Sequence, residues 1–477
     1  MTEFTIVSIA IPLFVGFSIY LLPTLARYLA LGVALVSMAY GLTLIYQPEP
    51  LQLQLLDSFG VSLLADSLSG QFILGNALVT AAVVLYCWKQ EKSAFFFTQL
   101  TVLHGSVNAV FICADFMSLY VALEVIGIAA FLLIAYPRTD RSVWVGLRYL
   151  FISNTAMLFY LIGAVLVYQA NNSFAYEGLQ QAPTDAIALI FLGLLTKGGI
   201  FVSGLWLPLT HSESATPVSA MLSGTVVKTG VFPLVRCALL VDNLQPILAI
   251  MSVATALLGV TYAIFEKDTK RMLASSTISQ IGFVLAAPPV AGIYALSHGL
   301  AKACLFLMAG NLPSRSFEKL RQSPMPLSSW GIVTAASLSI AGFPLLTGFG
   351  AKTLTLKSLA PWHSVGLTIA AVGTAIAFAK FIFLPFKNTF KIYVPSHLLT
   401  ASGLLLTGLV AANSFSLETY TLPNVLKALL VLAAGWLIYA VAMRFTKLEL
   451  PRTAEKFEHL VGTMSLVLVL LFTMVIV

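Results

Sequence analysis

The stretch FLGLLTKGGIFVSGLWLP, residues 191–208, places one lysine, Lys197, in an otherwise apolar run and follows it with two glycines. A charged side chain inside a membrane helix is costly, so it is usually paired with another polar group or lies on an ion pathway. Gly198, Gly199, Gly204 and Pro208 predict that the helix is interrupted just after the lysine. A lysine beside a helix break is therefore the first feature to be explained.

The composition indicates what surrounds this lysine. Of the 477 residues, 59% are hydrophobic and only 9% are charged, whereas soluble domains carry roughly a quarter charged residues. Apolar runs long enough to cross a bilayer, about 18 residues or more, recur along the whole chain. We therefore predict an all-α polytopic membrane protein with about 14–16 transmembrane helices, near residues 4–22, 27–46, 70–88, 94–113, 115–136, 147–168, 186–206, 217–240, 246–265, 273–290, 291–311, 330–350, 364–386, 397–413, 424–444 and 460–477.

A second interrupted helix follows about five helices after the first. Gly342, Pro344, Gly348 and Gly350 precede Lys352 in SIAGFPLLTGFGAKTLTL. Breaks at matching positions of two halves are typical of inverted-repeat transporters with ion sites near the membrane midplane. We predict broken helices 7 and 12 and four parts: N-terminal helices 1–3 in 1–90, a first five-helix inverted repeat (helices 4–8) in 91–240, a second (helices 9–13) in 241–390, and C-terminal helices in 391–477.

The distribution of charge between the helices predicts their orientation. Basic residues fall in alternate connections, which are cytoplasmic by the positive-inside rule: Arg27, Lys89, Lys92, Arg138, Arg141, Lys267, Lys270, Arg271, Arg315, Lys319, Arg321, Lys387, Lys391, Arg444, Lys447, Arg452 and Lys456. The other connections carry mostly acidic residues: Glu49, Asp57, Asp66, Asp115, Glu177, Asp185, Asp242 and Glu418. Both termini are then predicted outside or in a lumen. The net charge of +7 follows from this asymmetry, and we expect no nucleic-acid partner.

Several kinds of chemistry are excluded by what the connections and cysteines lack. No predicted connection exceeds about 25 residues, which leaves no room for a soluble catalytic domain. The four cysteines, Cys87, Cys113, Cys237 and Cys304, are scattered without a CxxC or Cys/His cluster, so zinc, haem or iron–sulfur ligation is not expected. We find no GxGxxG or P-loop motif and expect no cofactor or metal. Linked redox or ATP chemistry would take place in a partner.

The ionisable residues inside the predicted helices carry the functional interpretation. One acid and four lysines lie on separate helices, and a histidine stands one helical turn before one of the lysines. Such a set is typical of a chain of protonatable stations. Its members are Glu124, Lys197, Lys228, His298, Lys302 and Lys352.

Structural interpretations exist for several of these residues. Glu124 could be a structural ion-pair partner, Lys352 could snorkel from a helix end, and His298 could be a packing histidine. We interpret His104 as a packing residue and Lys380 as an anchor at a helix end. Two arginines, Arg148 and Arg236, lie close to helix ends and receive no role.

Four stretches resemble the antiporter-like subunits shared by Mrp-type cation/proton antiporters and complex I. They are LLTKGGIFVSGLWLPLTHSESATPVSAMLSGTVVKTGVFPLVR, KDTKRMLASSTISQIGFVLA, LSHGLAKACLFLMAG and AGFPLLTGFGAK, and the similarity extends from about residue 60 to 390. The sequence departs from the family in LPLTHSES, where an acidic residue commonly follows the Trp-Leu-Pro, and at Leu345, where a second proline is common.

The resemblance implies specific roles for the site residues. Glu124 and Lys197 would form a switchable ion pair. Protons would pass by way of Lys228 and the hydrated region of His298 and Lys302, and would leave near the lysine of the second break. Lysines in helices 8 and 12 are similar to those of an Mrp D subunit or its complex I relative.

Three functional hypotheses follow. The first is an ion-translocating subunit of a multisubunit Na+ (or other cation)/H+ antiporter of the Mrp type. The second is a proton-pumping subunit of a complex I type NAD(P)H or ferredoxin–quinone oxidoreductase without its own redox site, and the third is a scaffold that does not conduct. We expect other membrane subunits as partners, and a bacterial cell membrane, or a thylakoid membrane in a photosynthetic source, as the location.

Overall fold

The computed structural model describes residues 2–56, 60–387, 394–443 and 448–476. Four of the charges used to predict orientation, Asp57, Lys391, Arg444 and Lys447, lie outside these ranges. Within them, the chain is almost entirely helical.

In the first half of the chain, the described residues form ten α-helices. They are α1 (Thr2–Leu21), α2 (Ala26–Tyr46), α3 (Ser67–Cys87), α4 (Ala94–Val110), α5 (Phe116–Ile134), α6 (Asp140–Asn171), α7 (Thr184–Gly198), α8 (Leu207–Glu213), α9 (Thr216–Met221) and α10 (Lys228–Leu240). A short 3₁₀ turn, Phe201–Gly204, stands between α7 and α8, and one turn of π-helix, Leu222–Val226, connects α9 to α10.

The second half contains ten more. They are α11 (Gln245–Phe265), α12 (Thr269–Ala286), α13 (Ala291–Ala309), α14 (Phe317–Gln322), α15 (Leu327–Ala341), α16 (Thr347–Lys357), α17 (Pro361–Ile382), α18 (Ser396–Ala412), α19 (Leu422–Ile438) and α20 (Phe457–Ile476). The strands are short: β1 (Leu51–Gln54) pairs antiparallel with β2 (Ser62–Ala65), and β3 (Met325–Pro326) pairs parallel with β4 (Phe386–Lys387).

The predicted all-α membrane architecture is confirmed. Each of the sixteen predicted segments contains a helix or a broken helix. Among the described residues, twelve helices are long and apolar enough to cross a membrane, or thirteen if the bent pair α7 and α8 counts as one span. The count falls below 14–16 because α4 is only 17 residues long, α12 is not apolar enough, and the predicted twelfth segment is divided into the short helices α15 and α16.

Both predicted breaks are present and have the same local cause. Gly199 ends α7 with φ +70°, and Gly342 ends α15 with φ +89°. This left-handed conformation strains a side chain but suits glycine, and it lets the backbone N–H close the last turn of the helix. The bend between α7 and the 3₁₀–α8 segment is 41°. A glycine therefore ends each helix next to a lysine that belongs to the site.

The structure explains why this chain has Leu345 where a second proline is common in the family it resembles. Its φ is +86° and its backbone N–H donates to the hydroxyl of Tyr420 at 3.0 Å. Proline could do neither, because its ring fixes φ near −65° and it has no N–H. This chain therefore holds its second break with a residue in a strained left-handed conformation.

Three of the ionisable residues, Lys228, His298 and Lys302, lie on the innermost helices. Almost all of α3, α10 and α13 is buried, whereas little of α19 and α20 is. In a membrane this exposed apolar surface faces lipid or other subunits. The division into two inverted repeats remains a prediction, as do the domain boundaries.

Connections predicted to share the cytoplasmic side meet at one end of the molecule. Arg315 contacts Asp268 at 2.8 Å and Glu213 at 3.6 Å, and Arg141 reaches Glu213 at 3.3 Å. These ion pairs join the start of α6, the end of α8 and the connections after α11 and α13. Which face of the membrane this end occupies remains a prediction.

Residues 448–456, here called the C-terminal link, cross that same end. The carboxylate of Glu455 accepts a hydrogen bond from Arg271 at 2.5 Å, and its backbone carbonyl accepts one from Arg148 at 2.5 Å. Arg452 pairs with Glu266 at 2.9 Å. Beyond the link, α20 packs against α7 and α6. The chain thus returns from the second half to cover the first, and Arg148, which received no role from the sequence, holds the link.

Candidate functional site

Lys197 lies at the last turn of α7, directly before the first break. It is 3% exposed. Its Nζ donates to the backbone carbonyl of Leu123 at 3.0 Å and to the hydroxyl of Ser153 at 2.5 Å. These acceptors belong to α5 and α6, so the broken helix directs its lysine between two neighbouring helices.

Glu124 follows Leu123 in α5 and is separated from Lys197 in this conformation. Its Oε1 is buried and has no hydrogen-bond partner. Within the described residues, no ion pair of 4.0 Å or less joins Glu124 to a lysine or arginine. The predicted switchable pair is therefore apart here, and its closure remains a prediction. Glu124 also lines an open, mostly apolar cavity of about 760 Å³ with Trp144, Arg148 and other residues of α5, α6 and α20.

Lys228 begins α10 immediately after the turn of π-helix. Its Nζ donates to the carbonyl of Ser223 at 3.3 Å and also to that of Gly224. A π-turn shifts the backbone hydrogen bonds by one residue and often occurs at functional sites. The sequence analysis did not identify this turn, since LSGTV contains no proline and no other distinctive signal.

The residues of α13 stand next to Lys228. A Cβ built on Gly299 would lie 3.3 Å from Lys228 Nζ, and Gly299 directly follows His298. Neither ring nitrogen of His298 has a hydrogen-bond partner, although the side chain is only 1% exposed. Lys302, one turn further, donates to the carbonyl of Leu273 at 2.8 Å. The structure thus brings together Lys228, His298 and Lys302.

Lys302 and Lys352 have similar surroundings, each with an aromatic ring and only neutral acceptors. Lys302 also donates to the hydroxyl of Ser276, and its Nζ is 5.2 Å from the ring centre of Phe378. Lys352, at the second break, donates to the carbonyl of Ala341 at 3.2 Å. Its side chain is only 7% exposed, and its Nζ is 5.4 Å from the ring centre of Phe283.

None of these lysines has a carboxylate partner within 4.0 Å in the part of the chain that the structure describes. The ion pairs in this part of the chain join residues near the helix ends instead, such as Arg271 with Glu455. The buried amines are held by backbone carbonyls, hydroxyl oxygens and ring faces. A carbonyl accepts an N–H from an ammonium or from a neutral amine, so these contacts can persist in either protonation state.

Two other buried groups have the surroundings that the sequence analysis expected. The ring nitrogens of His104 contact Thr80 and Ser37, each at 2.9 Å, as expected of a packing histidine. Lys380 donates to the carbonyls of Ala263 and Glu266 at 3.1 and 2.7 Å, near the end of α11. The contact with the carbonyl of Glu266 is consistent with the interpretation of Lys380 as an anchor.

His211 is a candidate that the sequence analysis missed. It lies in α8 and is fully buried. Its ring centre is 6.0 Å from that of Trp206 and 6.1 Å from that of Phe306 in α13. The sequence did contain a signal for this residue. His211 is a histidine in the second half of a broken helix, within LPLTHSES, the motif that lacks the acidic residue common after Trp-Leu-Pro.

No metal centre is built from the described residues, where no group of three or more histidine, cysteine, aspartate or glutamate side chains is close enough to hold an ion. The four cysteines are free and separately buried.

Comparisons with known proteins agree with this architecture. A family profile described as "NADH:quinone oxidoreductase/Mrp antiporter, TM" matches residues 113–378. NAD(P)H-quinone oxidoreductase chain 4 1 of Synechococcus sp. (strain JA-3-3Ab) is 28% identical over 415 residues, which cover 76% of this chain and 78% of that protein. The D subunit of a Na(+)/H(+) antiporter from Alkalihalophilus pseudofirmus (strain ATCC BAA-2126 / JCM 17055 / OF4) is 26% identical over 418 residues, with 79% and 84% covered.

The fold is also similar to that of a solved structure. The Mrp complex from Dietzia sp. DQ12-45-1b contains a chain that superimposes with a TM-score of 0.80 at 23% identity. The match covers 97% of this chain and 59% of that one.

Proposed function

Since the chain belongs to the NADH:quinone oxidoreductase/Mrp antiporter membrane family, we propose that it is the proton-translocating membrane subunit of a multisubunit Mrp-type cation/proton antiporter. Protons would move along six stations, Glu124, Lys197, Lys228, His298, Lys302 and Lys352. Other membrane subunits would complete the assembly, with protons and Na+ or another monovalent cation as the transported ions. The membrane would be a bacterial cell membrane, or a thylakoid membrane in a photosynthetic source.

The observation that carries this proposal is the set of buried lysines held only by neutral acceptors. A structural lysine in a membrane interior is best stabilised by a carboxylate, and removing either partner of a buried pair is expensive. Here the amines keep their hydrogen bonds to carbonyls and hydroxyls whether or not they carry the extra proton. This arrangement suits proton exchange better than it suits a static ion pair, and it argues against a scaffold that does not conduct.

Coupling between stations would be electrostatic. When the carboxylate of Glu124 approaches Lys197, it favours the ammonium form, and when it withdraws, it favours release of a proton to the next station. Two unit charges 4 Å apart interact by about 4 kcal/mol at an effective dielectric constant of 20. Closing and opening this pair could therefore change the proton affinity of Lys197 by orders of magnitude. In this proposal, a separated pair would be the releasing state.

The two breaks would bracket the path. Lys197 stands before the first break and Lys352 after the second, with Lys228, His298 and Lys302 between them. Irregular backbone at this depth is tolerated where it faces protein or water. Proton entry near Lys197 and exit near Lys352 would then use the hydrated surroundings of the two interrupted helices.

A second candidate is a proton-pumping subunit of a complex I type oxidoreductase. It is favoured by one observation, namely that a quinone oxidoreductase chain and an antiporter chain align with this protein to a similar extent. The stations would be the same. The driving force would come from a partner arm that oxidises an electron donor, because no redox centre is proposed in this chain.

Proton movement in inverted vesicles tests both candidates. The whole gene cluster is expressed, the vesicles are energised, and a pH-sensitive dye is followed while Na+, K+ or Li+ is added. We expect a cation-triggered collapse of the pH gradient that is lost in Lys197→Ala and Lys352→Ala. Lys357→Ala is the matched control, since this exposed lysine lies on the same helix as Lys352 and should leave transport unchanged.

Each result has a distinct meaning. Cation-dependent transport with Lys197 replaced would refute the role of this lysine. A gradient that forms only when an electron donor is supplied, without any cation response, would favour the complex I candidate. Equal loss of transport in the Lys357 control would show that the assay reports folding and not the stations.

A further inference from the structure

A buried polar network on α2, α3 and α4 lies beside Lys228 and has no assigned role. Each of its side chains is at most 5% exposed. The network consists of Ser37, Asn76, Thr80, His104 and Asn108. Asn76 also lines a small gap together with Thr225 and Lys228, and this gap is too narrow to hold a water molecule. One end of the network therefore borders the same gap as Lys228, one of the proposed stations.

The contacts of Asn76 determine the orientation of its amide. Its Nδ2 donates to the backbone carbonyl of His104 at 3.0 Å and to Oδ1 of Asn108 at 2.8 Å. A backbone carbonyl can only accept a hydrogen bond, so the amide nitrogen must lie on that side. Oδ1 of Asn76 then lies on the other side, where it is buried without a hydrogen-bond partner.

The rest of the network holds this orientation. Because Oδ1 of Asn108 accepts from Asn76, its Nδ2 is the donor to Ser37 Oγ at 3.1 Å and to His104 Nε2 at 3.2 Å. Nε2 of His104 is thus an acceptor, and the ring proton is on Nδ1, which donates to Thr80 Oγ1 at 2.9 Å. Turning Asn76 over would place two acceptors against each other, so its free oxygen is fixed in position.

We propose that Asn76 is a positioning residue for Lys228. The side-chain oxygen of Asn76 accepts a hydrogen bond from the Lys228 ammonium when the lysine side chain leaves the carbonyls of the π-turn. The inference rests on the proposed proton path. It adds a second resting place for the Lys228 proton, on the α3 side of the helix. Because the gap that both residues line has no room for a water molecule, this hydrogen bond would be direct.

The charged groups around Lys228 make a neutral acceptor important for its protonation. His298 and Lys302 approach it from α13, and both carry positive charge when protonated. The side chains lining the gap from α3 and α4 are Phe72, Asn76 and Phe111, none of them charged. Among the described side chains around the gap, Asn76 is the acceptor opposite the π-turn, so it should favour the protonated form of Lys228.

The test is the pH dependence of transport in the intact assembly. Asn76→Leu removes the acceptor, so Lys228 should bind its proton about tenfold more weakly and the pH midpoint of transport should fall by about one unit. Asn76→Asp places a carboxylate at the same position and should move the midpoint upward. Thr101→Val is the matched control, because this buried hydroxyl on α4 bonds only to the carbonyl of Phe97 within its own helix.

Opposite shifts of the two Asn76 variants would support the inference, with the midpoint of the control unchanged. An unchanged midpoint in either variant that inserts and transports would overturn it, since a purely structural asparagine would alter protein level or maximal rate alone. If Asn76→Leu does not insert, Asn76→Asp decides the matter, because it keeps the side-chain size and an oxygen facing the gap, although it loses the two donor contacts of Nδ2. Loss of wild-type transport in Lys197→Ala is established first, so that failure of the proposed function is distinguished from failure of this inference.

Discussion

Replacing Gly230 by alanine should push apart the two helices that carry Lys197 and Lys228. A Cβ built on Gly230 would lie 2.3 Å from the backbone nitrogen of Gly198 and 2.5 Å from the carbonyl of Leu194. Both obstacles are backbone atoms of α7, which cannot move aside as a flexible side chain does. To restore an ordinary contact of 3.4 Å, the helices must separate by about 1.1 Å.

The expected cost follows from this displacement. Overpacking a well-packed interior typically costs about 1–3 kcal/mol, and here the relief must come from backbone shifts. The contact lies next to Lys197 and two residues after Lys228, so the gap between these stations widens too. A misplacement of about 1 Å can lower the rate of a reaction about a hundredfold. We therefore expect a destabilised protein whose transport falls by one to two orders of magnitude.

Gly403→Ala provides the matched control. Gly403 lies inside α18, and nothing stands within 4 Å of a Cβ built there. Because alanine favours helices over glycine by about 1 kcal/mol, this variant should be neutral or slightly more stable.

The assay combines proton transport in inverted vesicles with the melting temperature of the purified protein, each corrected for the amount inserted. Gly230→Ala should lower both quantities, while Gly403→Ala lowers neither. Wild-type transport and wild-type melting in Gly230→Ala would refute the reasoning, because they would mean that α7 and α10 do not touch at these glycines in the membrane.

Two further predictions concern ion pairs at the helix ends. Burial alone would raise the pKa of Asp66, but its hydrogen bonds and charge interaction with Arg236 outweigh burial and lower the pKa. The pair therefore stabilises the protein at pH values above the ordinary aspartate pKa of about 4. This stabilisation is lost as the pH falls through the lowered pKa of Asp66. The melting temperature of the wild type should exceed that of Asp66→Asn at pH 7, and the difference should shrink towards pH 3; a constant difference would contradict it. Glu455→Gln weakens the bond to Arg271, a loss of roughly 1.5–3 kcal/mol, and should speed hydrogen exchange in the C-terminal link. Glu449→Gln, in an exposed pair, should not, and equal exchange rates in both variants would rule out the anchoring role.

Much of the fold could be predicted because its causes are local. Apolar runs fixed the approximate positions of the helices, and the glycines after Lys197 and before Lys352 indicated both breaks. The resemblance to a known family then identified which intramembrane charges deserved attention. For Glu124 and Lys197, the resemblance implied a pair, but whether such a pair is open or closed depends on the conformation, which the sequence does not specify.

The remaining features depend on contacts between distant parts of the chain. Nothing near Asn76 in sequence reveals that it faces Lys228, 152 positions later. The π-turn before Lys228 has no sequence signature, and the strained conformation of Leu345 depends on its contact with Tyr420. Arg236 received no role because its partner, Asp66, lies at the start of a different helix. Such pairings require the tertiary structure.

The return of α20 to the first half has a consequence for biogenesis. Ribosomes deliver this helix long after α7, which it covers. Until residues 457–476 enter the bilayer, one flank of the interrupted helix is left without a neighbour. A nascent chain cut short in the C-terminal link would therefore be inserted with that flank of α7 uncovered.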